Sequence, residues 1–231
     1  MHVRDLTQFL AELSENNNRP WFVMNKPRYD ILRAEFLDLV TGVIADVSKF
    51  DPAIADCNPK KALFRINRDM RFSRDKHPYK TTFSASITAS GLKKPSQGGG
   101  PAYYFQIDAN GTLLIAAGEY MPPADRLRAI RRYIVADAPA FGKLLENKKL
   151  MDSFGDLQQE GKLLRPPKGF DLDTPHLDYV KLKNFIVWKE SRVRKDRPGE
   201  LGAELASGFK DALALVTWLR SAPAVTAAVP E

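Results

Sequence analysis

Between Arg65 and Lys80 the chain reads RINRDMRFSRDKHPYK, and six of these residues are cations: Arg65, Arg68, Arg71, Arg74, Lys76 and Lys80. Only Asp69 and Asp75 oppose them. A guanidinium group offers a planar fork of donors matched to phosphate or carboxylate, and an ammonium group adds a compact charge beside it. Ser73 and Tyr79 add hydroxyl donors. The pattern points to anion binding, and the residues it nominates are Arg65, Arg68, Asp69, Arg71, Ser73, Asp75, Lys76, Tyr79 and Lys80. Arg65, Arg71, Lys76 and Lys80 would hold the anion, while Asp69 and Asp75 orient the cations. The expected ligand is a small phosphorylated or carboxylated molecule. If chemistry is done on it, transfer or hydrolysis would rest mainly on electrostatic stabilisation.

Alternation along Leu63–Thr81 predicts an extended segment with Phe64, Ile66, Met70 and Phe72 on one face and Arg65, Asn67, Asp69, Arg71 and Ser73 on the other. Arg68 then falls on the apolar face, where an unpaired guanidinium is very costly. It calls for a bulge or for a carboxylate partner such as Asp69, Asp75 or Glu119. Two other readings share this stretch. One is nucleic-acid binding, with Lys93, Lys94 and the basic run at 192–197 tracking phosphates, which would be steeply salt-dependent. The other is a structural or interaction module in which an Arg–Asp network braces the chain.

Other chemistry finds little support. His77 lies beside Asp75 and could titrate near neutral pH, although a loop histidine before proline is commonly just solvated. No nucleophile elbow, HExxH or paired-cysteine motif occurs. His2, His77 and His176 have no metal-ligand spacing, and Asp171, Asp173, His176 and Asp178 read better as helix capping around Thr174-Pro175, so no metal is expected. The sequence names no cofactor. Tyr103 and Tyr104 must face opposite sides of their strand, so only one of them can share a ligand's face.

The residues Asn17, Arg19, Trp21 and Phe22, the whole run Phe64–Thr81, Tyr103–Ile107, Gly118-Glu119-Tyr120-Met121-Pro122 and Leu164–Phe170 resemble domain-of-unknown-function family 2461. The likeness spans roughly residues 5 to 220. It implies a stand-alone bacterial cytoplasmic domain and carries over no activity, cofactor or catalytic residue. The motif positions it matches are Arg65, Arg68, Asp69, Arg71, Ser73, Asp75, Lys76, Pro78, Tyr79 and Lys80.

These residues need a scaffold, and the hydrophobic pattern outlines one. Leu6, Phe9, Leu10 and Leu13 mark an amphipathic helix over Asp5–Asn16. Ile31, Phe36, Leu39, Val40, Val43, Ile44 and Val47 mark a second, with Pro27 in its first turn and Gly42 allowing close packing. Strands are expected at Phe83–Ala89, Tyr103–Asp108, Thr112–Glu119 and Phe185–Trp188, with Asn110-Gly111 as a hairpin turn. A helix follows Pro122-Pro123, Pro139 breaks it, and Phe141–Glu146 continues. Leu150–Pro167 is weakly patterned. Thr174 should cap a short helix, and one long helix should run from Glu200 to Leu219. Gly91–Pro101 reads as a loop, and Gly98–Gly100 as a lid.

Strands in the middle with helices on both sides in sequence predict an α+β fold. The expectation is a single domain over 1–221 with a central, mostly antiparallel sheet, followed by a flexible tail at 222–231. Among 231 residues, 44% are apolar, which excludes wholesale disorder. A net charge of +7 favours anionic partners without the dense stripe of a dedicated DNA binder. No apolar run reaches the ~20 residues of a membrane span. With one cysteine, Cys57, and no signal peptide before the first helix, a reducing cytoplasm is expected.

Overall fold

The computed structural model describes residues 1–69, 71, 76–92, 99–194 and 198–223. The fold is α+β, a four-stranded antiparallel sheet packed with helices. The strands are β1 (Thr82–Thr88), β2 (Ala102–Asp108), β3 (Thr112–Glu119) and β4 (Phe185–Arg192), side by side in chain order. The expected hairpin joins β2 to β3. There Gly111 adopts φ 75°, and Asp108 Oδ1 accepts from the amides of Asn110 and Thr112.

Period-two alternation divides the sheet into two faces. Phe83, Ala85 and Ile87, Tyr103, Phe105 and Ile107, Leu113, Ile115 and Ala117, and Phe185 and Val187 are buried on one of them. Helices cover that face. α1 (Val3–Glu15) buries Leu6, Phe9, Leu10 and Leu13, as its stripe requires. α3 (Lys26–Ser48) sends Phe36 against both Phe83 and Phe105. Its stripe differs from the expected one at two points: Ile31 is exposed with Leu32 in the buried place, and Leu39 is only half-buried. Gly42 faces open space, so it serves no close packing.

α2 (Arg19–Met24) is a short helix between α1 and α3, and the Asn18 side chain caps it by accepting from Trp21 N. After α4 (Pro59–Ala62) the chain enters the charged motif. Beyond β3 come α5 (Ala124–Ala136), α6 (Ala138–Leu145) with Pro139 in its first turn, and α7 (Lys148–Phe154), which runs into the weakly patterned stretch. Asn147 caps α7, a side-chain signal that hydrophobic periodicity does not carry.

Two helix assignments need correction. Thr174 does not cap a helix; its hydroxyl bonds Asp171, and α8 (Leu177–Val180) starts only after His176. The last helix is two, α9 (Leu201–Asp211) and α10 (Leu213–Ser221). The turn at Ala212 shifts the buried stripe from Leu201, Leu205 and Phe209 to Leu215, Val216, Trp218 and Leu219, so α10 packs onto α5 and α6 through Trp218, Tyr133 and Phe141. One continuous core cluster joins all these pieces. Among the described residues no helix is long and apolar enough to cross a membrane.

Candidate functional site

The charged motif is not a regular strand. Its two limbs fold against each other as a narrow antiparallel loop, with Asn67 bridging Tyr79. Lys80 N donates to Ile66 O at 2.8 Å and Arg68 N to Pro78 O at 2.9 Å. This pairing places Arg65 and Arg68 on one limb beside Lys76 and Lys80 on the other. Met70, Phe72, Ser73, Arg74 and Asp75, which include two nominated site residues, lie outside the described residues.

The loop is anchored from far away. Asn17 uses both ends of its amide on the Tyr79 backbone, donating to Tyr79 O and accepting from Tyr79 N, each at 3.0 Å. The Tyr79 ring stacks on Phe22 with centroids 4.1 Å apart and is buried. Its ring is therefore a core anchor of the motif. Leu63 bridges Ala85 of β1, and Leu63 and Ile66 also enter the core.

Phe64 departs from the expected face. It does not lie with Ile66 but stands edge-on to Tyr104, centroids 6.1 Å apart, on the opposite side of the sheet. The reason is the irregular backbone: Phe64 N bonds Ser84 O on β1, and the chain bends at Ile66 before the second bridge.

Arg65, Asp69, Arg71, Lys76 and His77 are exposed, and Arg68 and Lys80 are half-buried. Arg71 grips Asp69 with both donors, Nη2 to Oδ2 at 2.7 Å and Nε to Oδ1 at 3.0 Å. These bonds hold the Asp69 carboxyl well below the usual carboxylate range. Asp69 and Arg71 thus form an ion pair on the exposed side of the motif. Glu119, one of the partners considered for Arg68, is engaged elsewhere. It is buried and accepts from Arg126 Nε at 2.9 Å and Nη2 at 3.0 Å.

Beside the motif lies a feature the sequence reading did not assemble. The second face of the sheet floors a cavity of about 490 Å³, within the range of small-molecule sites. The floor is Ser86 and Thr88 of β1, Ala102, Tyr104 and Gln106 of β2, Leu114, Ala116 and Gly118 of β3, and Ile186 and Trp188 of β4. The walls are Phe64, Leu92, Gly99, Gly100, Glu119, Tyr120, Pro122 and Glu160. Gly98, part of the expected lid, lies outside the described residues.

The cavity is mostly apolar with a polar stripe. Tyr104 donates to Gln106 Oε1 at 2.9 Å, and burial pushes the Tyr104 hydroxyl up, so it stays protonated at neutral pH. Ser86 and Thr88 present hydroxyls from almost fully buried positions. The signal for this face was available: Thr82, Ser84, Ser86 and Thr88 alternate strictly with apolar residues along β1. Of the two adjacent tyrosines, Tyr104 is the one that faces the cavity, while Tyr103 points into the core.

Phe64 connects the two features. It walls the cavity, and the Lys80 ammonium lies 5.1 Å above its ring. Phe64 of one segment of the family likeness and Gly118, Tyr120 and Pro122 of another thus line the same cavity. The family model described as "Conserved hypothetical protein (DUF2461)" matches residues 5–218. The chain belongs to this family. No curated protein and no solved structure matches it.

The DUF2461 chain gathers no metal centre among its described residues. His176 instead contacts Ala138 O at 2.9 Å, tying α8 to α6.

Proposed function

We propose that this DUF2461 protein binds a small phosphorylated or carboxylated molecule, with the anionic group on the cations of the 63–81 motif and the body in the adjoining cavity. The observation that carries the reading is the position of Phe64. One side chain walls the cavity and sits beneath the Lys80 ammonium, so a ligand lying against it reaches charge at one end and apolar surface at the other. The folded-back backbone sets the limb that carries Arg65, Arg68 and Arg71 against the limb that carries Lys76 and Lys80, and cations gathered on one loop hold phosphate more strongly than scattered ones. The buried thiol of Cys57 suits a reducing cytoplasmic setting.

The test is thermal stability with and without inorganic phosphate and phenyl phosphate, in wild type and in Arg71→Ala and Lys80→Ala. Phosphate and phenyl phosphate should raise the wild-type midpoint by a few degrees at saturating concentration. Each substitution should reduce that shift by at least about half. Equal shifts in all three proteins remove the motif as the anion site. Tight, steeply salt-dependent binding of polynucleotide with no response to the small phosphates assigns the motif to nucleic acid instead.

A further inference from the structure

The cavity floor has a definite size pattern, set by strand register. Cross-strand pairing aligns Ser86, Tyr104, Ala116 and Trp188 in one row across β1 to β4. Tyr104 and Trp188 therefore project from the same face two strands apart, with only the methyl group of Ala116 between them. The next row, Thr88, Ala102, Gly118 and Ile186, is small at its centre and extends the hollow.

Two strand spacings amount to about 9–10 Å. Aromatic rings in contact place their centroids about 4.5–7 Å apart, so a ring stacked between two others needs about 9–14 Å from first to last. The backbone separation of Tyr104 and Trp188 thus falls in the range that suits one planar group between their rings. Phe64 braces the Tyr104 ring edge-on, which limits its freedom to collapse into the hollow. The Tyr104 hydroxyl is committed to Gln106, whose amide nitrogen then remains to meet a polar ring edge alongside the Ser86 hydroxyl.

We infer that the cavity takes a planar aromatic or heteroaromatic ring, stacked between Tyr104 and Trp188 above Ala116. The inference rests on the function proposed above and names the body of that ligand. A flexible acyl chain is the competing occupant for a mostly apolar cavity. It makes no use of two aromatic side chains facing the cavity two strands apart or of polar groups along one side.

The experiment is calorimetric titration of the full chain with 1-naphthyl phosphate, decahydro-1-naphthyl phosphate and octyl phosphate, and with uncharged 1-naphthol. Wild type should bind 1-naphthyl phosphate about ten-fold more tightly than its saturated counterpart. Ala116→Leu fills the hollow and Trp188→Leu removes one wall, so each should erase that preference while the thermal shift with inorganic phosphate persists. Trp188 is only half-buried, which keeps the test open if Ala116→Leu fails to fold. Equal affinity for the aromatic and saturated phosphates overturns the ring assignment, as does tightest binding of octyl phosphate or no saturable binding at all. Survival of the preference in both variants also overturns it. The anion reading fails separately: 1-naphthol binding as tightly as 1-naphthyl phosphate in wild type would leave the ring in place and remove the phosphate contact.

Discussion

Gly118 shows how one residue fixes the cavity. It adopts φ 124°, and a Cβ there would lie 2.2 Å from the Phe185 carbonyl oxygen and 2.8 Å from Ile186 Cα. Both neighbours are backbone of β4, so neither can swing away as a side chain would. Only glycine permits β3 and β4 to stay paired at this point while leaving a hollow above it. Gly118→Ala should therefore destabilise the protein by more than about 2 kcal/mol in urea unfolding, through backbone strain and loss of pairing at the cavity rim. Ala116→Gly, in the neighbouring row, should cost only about 1 kcal/mol. A Gly118→Ala protein within about 0.5 kcal/mol of wild type would show that β4 can move aside and that this contact does not fix the cavity floor.

At the scale of elements, the charged motif depends on a residue in a different part of the chain. Asn17 bonds both the N–H and the C=O of Tyr79, so its amide acts as a short piece of strand alongside the loop. Asn17→Ala leaves two backbone groups without those partners, at about 1–3 kcal/mol. The loss should fall locally. Amide exchange at Tyr79 and Lys80 should accelerate and the phosphate-induced thermal shift should shrink, while exchange in β2 and β3 stays slow. Uniform acceleration throughout the sheet would instead make Asn17 a global strut. This bond also marks where sequence reading runs out. The α1 stripe and the Asn110-Gly111 hairpin were legible because period and turn chemistry are local. Strict alternation puts Phe64 on the wrong face because it assumes a regular strand, whereas backbone bonds to Ser84 and Pro78 bend this one. The break at Ala212 carries no glycine or proline, and only the packing of Trp218 on α5 and α6 explains it. The cavity emerges from register across four strands, and no single strand contains that information.

Across the whole molecule, one buried cluster joins parts of the chain 169 residues apart. Asp51, in the turn after α3, accepts from Arg220 of α10 through both oxygens, at 2.7 and 2.6 Å, and from the Tyr103 hydroxyl of β2 at 2.8 Å. The cluster ties the long helix, the sheet and the last helix together. Burial pushes the Asp51 carboxyl upward, but the hydrogen bonds from Arg220 and Tyr103 more than offset this, and the net effect is downward. A carboxyl that is more acidic when folded contributes stability above its unfolded value, near pH 4, and loses it as pH falls through the folded value. Arg220→Ala leaves a buried carboxylate without its cation and should cost about 3–5 kcal/mol at pH 7. In the variant only the Tyr103 hydroxyl and the Ala53 amide still oppose burial, so the carboxyl protonates more readily than in wild type and the gap between the two proteins should narrow as pH falls toward 3. Urea unfolding of both proteins from pH 7 to pH 3 measures that gap directly. A gap that stays constant over the range would mean that Arg220 stabilises the fold by packing its stem, and the assignment of this closure to charge would have to be withdrawn.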